Sequence, residues 1–225
     1  MRIEVDVTDL AEVDIEMGAA EFQLAFADVP FATLEVDGPH EDEWSMEREG
    51  ESLKVRSNER GNARTRKTKA ALLLPKVLEE LPPVLLLHLA ACDFRGVGPF
   101  LAVDAEIDAS KADFSVQATE VRLSCAASKV RVQLEGVAVA NFSVDAGSLS
   151  AWLKGTAPSL LSVKVAAGSA SLIVPPVSYS VQKETALGKI TSKVKEARNS
   201  PNLIDAKVEV GKLRIEGQTQ PAPDF

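Results

Sequence analysis

The sequence predicts an all-β protein of stacked short-strand repeats, β-helix or β-roll-like, carrying an irregular charged insertion. Between Phe114 and Val144, Phe114-Ser-Val116, Val121-Arg-Leu123, Val130-Arg-Val132, Val137-Ala-Val139 and Phe142-Ser-Val144 are alternating units separated by small, polar or glycine residues. Phe114, Leu123 and Val132 recur nine residues apart, and the period-two alternation within each unit directs them to a common buried face. The third observation is compositional: 45% of residues are hydrophobic but only 5% aromatic, which suits narrow layers of small and β-branched side chains rather than an aromatic ligand platform.

The N-terminal portion carries the same signature. Ile3–Val7, Val13–Met17, Phe22–Leu24 and Leu34–Val36 alternate as strands between turn-prone residues, and Leu53-Lys-Val55 adds a fifth after an acidic segment. Connections this short favour hairpins or successive rungs, because a parallel crossover through a helix needs a dozen or more residues. Arg60 to Lys69 has no apolar period and is expected to be a mobile loop. Pro75–Leu81 admits a proline-started helical turn that Pro82 and Pro83 stop, but a hinge or irregular crossing is expected there before Val84–Leu87 returns to a strand.

After Leu101 the repeats resume, continuing through Leu149–Leu153, Val163–Val165 and Ala170–Val174, where Pro175 and Pro176 end the ladder. Lys183–Asn199 admits either a short amphipathic helix, from the spacing of Leu187, Ile190 and Val194, or an extended edge turning at Gly188. Val208–Val210 and Leu213–Ile215 suggest a closing hairpin around Gly211-Lys212. The organisation expected is therefore an N-terminal strand region over 1–59, a charged, proline-containing connector over 60–83, a repetitive β domain over 84–217 and a flexible tail over 218–225.

A net charge of -8 argues against duplex DNA or anionic lipid as the main partner. The charge is uneven. Glu41, Asp42, Glu43, Glu47, Glu49 and Glu51 form an acidic run, and Arg60, Arg64, Arg66, Lys67, Lys69 and Lys76 a basic one, which is either a solvated linker or a contact for phosphate, nucleic acid or an acidic partner. Cys92 and Cys125 sit in apolar settings without metal-ligand spacing and are expected to be buried thiols. Met1–Val7 alternates charge with apolar residues rather than forming the apolar core of a signal peptide, and no apolar run approaches the roughly 20 residues of a membrane helix; a cytoplasmic location is the default.

The units from Val103 to Val174, the segment Gly168–Pro175 followed by Tyr179-Ser-Val181, and the closing Asp205–Gly217 resemble a family of bacterial proteins described as "putative adhesins", built as stacked β-repeat or β-roll domains. The resemblance implies a surface, scaffold or envelope-associated role and no catalytic residues. Bactofilin-like filament proteins supply a physical analogy, since stacked rungs associate end to end when their terminal edges are uncovered; Glu209, Lys212 and Arg214 near the expected hairpin would oppose this.

No catalytic or metal-ligating constellation and no cofactor motif emerges. His40 lies beside acids but without metal spacing, and His88 and Cys92 lie about 13 Å apart if both are on one strand. Paired acids such as Glu4 with Asp6, Glu12 with Asp14 and Glu16, and Asp104 with Glu106 suit a solvated strand face; the competing reading is a carbohydrate-active or metal-assisted hydrolase with carboxylates opposed across a groove. The candidate interaction residues are Trp152, Trp44, Arg64, Arg66, Lys67 and Lys69. Alternation buries Leu149, Ala151 and Leu153 and turns Trp152 to the other face, where it either meets a partner or, through a slip of register at glycine or a position at the stack terminus, serves as a core or end-cap residue. Trp44 either reaches a partner or pins the acidic segment to the sheet. The expected function is a non-enzymatic structural or protein-interaction module, with self-association among its options.

Overall fold

The alternation folds into two facing layers of short strands wound as a continuous coil. The computed structural model describes residues 1–57 and 68–218. Numbered along the chain, one layer runs in spatial order through β5 (Trp44–Glu49), β6 (Ser52–Ser57), β2 (Glu12–Gly18), β8 (Val84–Ala90), β10 (Ala102–Asp108), β12 (Glu120–Ala126), β14 (Val139–Asp145), the first halves of β16 (Leu160–Val174) and β20 (Leu203–Gly217), and β17 (Ser178–Thr185). We call this layer A. Layer B runs through β1 (Arg2–Val5), β4 (Ala32–Asp37), β7 (Lys69–Pro75), β3 (Glu21–Ala27), β9 (Asp93–Pro99), β11 (Lys111–Gln117), β13 (Lys129–Glu135), β15 (Ser148–Lys154), the second halves of β16 and β20, and β18 (Lys189–Lys193). A short β19 (Lys195–Glu196) pairs with the start of β17.

Most pairings are parallel, and those that join β8 to β10 to β12 and β9 to β11 to β13 link residues 18 apart, as in Leu85↔Val103↔Val121 and Phe94↔Ala112↔Val130. The nine-residue spacing seen in the sequence is therefore half a turn of the coil. Phe114 and Val132 are direct neighbours in layer B, and Leu123 belongs to layer A. All three are buried in one core that extends from Val7 to Ile215. Antiparallel pairing is confined to the N-terminal end, where β1 lies on β4, β4 on β7, and β5 on β6.

The corner leading from layer A to layer B repeats a local device. Ala91, Ala109, Ala127 and Ala146 take positive φ values of 60°, 49°, 51° and 55°, a region that costs alanine energy. Each turn of the coil offsets part of that cost: the amides of Ala91, Ala109 and Ala127 donate to the carbonyls of Asp108, Ala126 and Asp145 at 3.0, 2.9 and 3.0 Å. Next in sequence, the Cys92 amide donates to Ser110 Oγ at 2.9 Å and the Ser110 amide to Ser128 Oγ at 3.0 Å. The serine column then becomes a glycine column. A Cβ on Gly147 would stand 2.7 Å from the Ser128 carbonyl oxygen, one on Gly168 2.4 Å from that of Gly147, and one on Gly211 2.1 Å from that of Gly168.

Several expectations are corrected. Val208–Val210 and Leu213–Ile215 are not a hairpin but parts of the single strand β20, which pairs with β16 along its length; Gly211 is required by close approach, not by a turn. Glu209, Lys212 and Arg214 consequently do not border an end of the stack, because β17 and β18 lie beyond β20. Val137 precedes β14 rather than forming its own strand. Lys183–Asn199 is extended, with β17 and β18 separated at Gly188. The acidic segment is partly structured, with a 3-10 turn at Glu41–Glu43 leading into β5, and Lys69–Pro75 of the expected connector is strand β7. Arg60, Arg64, Arg66, Lys67 and residues 219–225 of the tail lie outside the described residues. In place of the expected hinge or irregular crossing, Pro75 caps a one-turn 3-10 segment, Lys76–Glu79.

Candidate interaction surfaces

Alternation leaves each layer one outward face. On layer A, the paired acids of the sequence stand next to cations on adjoining strands. Arg56 Nη1 donates to Asp14 Oδ1 at 3.0 Å and its Nε lies 3.2 Å from Glu16; the Asp14 carboxylate beside it raises the Arg56 pKa. Glu106 lies 3.3 Å from His88 Nδ1, and Asp104 is in register with Leu86 and Arg122. Asp104 and Glu106 are both exposed on this face and neither is paired with a second acid in the strand register, so the hydrolase reading loses the arrangement that motivated it. His40 contacts Glu43 at 3.2 Å, and among the described residues no group of three or more His, Cys, Asp and Glu side chains is placed to hold a metal.

Both thiols are buried. Burial, reinforced by Asp145, pushes the Cys125 pKa up to about 11, which suppresses the thiolate. His88 is exposed on β8 while Cys92 is buried past the corner, so they form no catalytic pair.

Trp44 is a core residue. It is 4% exposed and its indole stacks on Phe22 with ring centres 5.9 Å apart and planes within 2°. The structure thus assigns it the pinning role and withdraws it from contact with partners. Lys69 opens β7 with its Nζ 3.8 Å from Glu21, inside a groove of about 650 Å³ on layer B that also receives Glu35, Asp37, Asp93 and Arg95. Among the described residues its surroundings are mixed in charge.

Trp152 behaves as alternation predicts. Leu149, Ala151 and Leu153 are buried, and Trp152 is half-buried on the outer face of layer B, in register between Gln133 and Ile173. Its indole N–H is buried without an acceptor, while Gln133 is held by an ion–dipole contact from Lys154. The same face carries Val97, 53% exposed, at the mouth of a groove of about 450 Å³ bordered by Arg95, Asp113, Ser115 and Arg131. Val97, Ile173 and the arginines were not singled out from the sequence. Their signal, an apolar or arginine residue at an outward position, becomes informative only once the register is known.

Asp113 and Arg131 form the best-defined pair of this face, with Arg131 Nη2 2.8 Å from Asp113 Oδ2 and Lys111 3.5 Å away. The Arg131 hydrogen bond holds the Asp113 carboxyl below its ordinary range, against a smaller opposing effect of burial. A depressed folded-state pKa stabilises above the unfolded value of about 3.9 and that contribution fades as pH falls through the folded value. Asp113→Asn is expected to cost about 1 kcal/mol at neutral pH, a modest figure because Arg131 is 42% exposed and water screens the pair. The gap to the parent should stay level down to about pH 5 and close below about pH 4. Urea titrations at a series of pH values would show it; a gap independent of pH would remove the ionic account.

No family profile and no curated protein sequence matches this chain. Solved structures do. A protein named "putative adhesin" from Parabacteroides distasonis aligns over 96% of both chains at 12% identity with a TM-score of 0.52. The likeness is one of fold. A "putative adhesin" from Parabacteroides merdae covers 97% of this chain and 96% of its own at 11% identity and TM-score 0.49. A "putative lipid binding protein" from Parabacteroides distasonis covers 96% of both at 13% identity and TM-score 0.41. Among the described residues, no helix is long and apolar enough to cross a membrane.

Proposed function

We propose that the chain is a non-enzymatic protein-interaction module that uses the outer face of layer B to hold a protein partner. The observation that carries this reading is Trp152 beside Ile173 on the outer face of layer B, with Arg131 on the adjoining β13 and Arg95 and Arg214 at outward positions farther along the same face, on β9 and β20. Aromatic and arginine side chains dominate contact energies at protein interfaces, and a rigid two-layer coil presents them without an ordering cost. The adhesin-like fold supports a role in surface or protein contact.

A photo-crosslinking residue at Ser150, exposed on layer B, is expected to trap a defined protein adduct in cells, while the same residue at exposed Glu106 of layer A traps none. Trp152→Ala should weaken capture about tenfold or more, the effect of truncating a central aromatic anchor. Equal labelling from both faces, or capture indifferent to Trp152→Ala, would reject this surface.

A further inference from the structure

A coil of strands has two ends, and among the described residues neither end strand is paired on its outer side. Among the described residues, β1 and β5 each pair on one side only, and at the opposite end β18 and the Ser180–Thr185 part of β17 pair only with β20. The core is open as well: Ile3 and Val5 at one end, and Val181 and Ile190 at the other, pack against it while staying partly exposed, and Leu187 is 86% exposed at the turn between β17 and β18. Unpaired edges and an uncovered core call for a partner with matching strands.

The ends carry opposite charge. Residues 1–6 and 41–51 contribute eight acidic and two basic side chains, whereas residues 178–202 contribute five basic and two acidic ones. Strand direction is compatible too. β1 is antiparallel to β4, which is antiparallel to β7, so β1 runs in the same sense as β18 in layer B. We propose that the C-terminal end of one copy, β17 and β18, seats on the N-terminal end, β1 and β5, of a second copy, giving head-to-tail assembly of this chain. The join continues layer B as parallel pairing and sets β17 antiparallel to β5, and it places Lys189 and Lys193 opposite the acidic end. Because the two surfaces differ, the interface is heterologous, and strand pairing that continues both layers in line extends it into a linear oligomer rather than a two-fold dimer.

The test uses the full-length chain in analytical ultracentrifugation over a wide range of concentration, at low and high salt. The expected result is a mass that climbs past twice the 24.0 kDa monomer without a plateau and falls as salt screens the ends. Lys189→Glu with Lys193→Glu should abolish growth, as should Glu4→Lys with Glu35→Lys on the layer B edge that β18 meets, and mixing the two variants should restore mixed oligomers. These side chains lie on the surface, and each variant's thermal melt checks that it is folded. A monomer at every concentration, a dimer of fixed mass, or growth unchanged by the reversals would each overturn the proposal. The Ser150 crosslink reads a lateral face and reports independently of this outcome.

Discussion

Gly211→Ala is expected to destabilise the protein by about 4 kcal/mol, lowering Tm by about 12 °C for a chain of this size. Two effects add. The new Cβ would stand 2.1 Å from the Gly168 carbonyl oxygen, a backbone atom with no rotamer to change, and the residue sits at φ 139°, which side chains avoid. Relief requires β16 and β20 to part where they are paired on both sides of the glycine. Gly136→Ala is the control, because its Cβ would meet nothing within 4 Å; its φ of 76° alone should cost about 1 kcal/mol. Chemical denaturation of the two variants separates crowding from conformational strain, and equal losses would show that the close approach is not the cause.

Phe94→Ala should cost about 4 kcal/mol as well, for a different reason. Phe94 is 1% exposed and stands in an interior aromatic column, 6.1 Å from Phe22 and 6.2 Å from Phe114, which Trp44 extends by stacking on Phe22. Truncation removes apolar contacts and both ring pairs and leaves a cavity between three turns of coil that cannot collapse without shortening the stack. Gly96 belongs to the same arrangement, since a Cβ there would meet the Phe94 ring at 2.9 Å. Gly96→Ala should therefore be less costly in the Phe94→Ala background than alone, a coupling that a double-mutant cycle measures. Strict additivity would separate the two sites.

Period-two alternation made the architecture legible where strands have one face in the core and one in water. Layer A strands such as β10, with Val103, Ala105 and Ile107 inward and Asp104 and Glu106 outward, show both signals in sequence. β7 did not, because Ala70–Leu74 is apolar at every position and its alternate burial follows from contacts with β3 and β4. β5 was hidden by charge: Trp44 and Met46 alternate inward, but the surrounding glutamates suggested a loop. Gly211 misled in the opposite direction. A glycine beside a lysine between two alternating triplets has the chemistry of a turn, and only the neighbouring Gly168, 43 positions earlier, explains it.

The surfaces were less legible than the fold. One strand's alternation put Trp152 on the face opposite Leu149, Ala151 and Leu153, but whether that face met solvent or a stack terminus depended on the neighbouring strands. Its association with Ile173 and the pairing of Asp113 with Arg131 depend on register across turns, which varies from 18 to 21 residues along the chain. Trp44 shows the limit of single-residue inference: a tryptophan among acids suggests exposure until Phe22 is found beneath it.

The spatial order of the first turns has a consequence for how the chain must be assembled. β2 lies between β6 and β8, and β3 between β7 and β9, so the first turn in sequence is not the first in space. A growing chain leaving the ribosome can therefore extend the stack turn by turn from β8 through β16. The opening turn, by contrast, waits for residues about 40 and 72 positions downstream, paying loop-closure entropy before either of its edges is covered. The N-terminal region is thus expected to be the slow part of folding, while the chain from Val84 through β16 propagates as a template and β17 and β18 wait for β20.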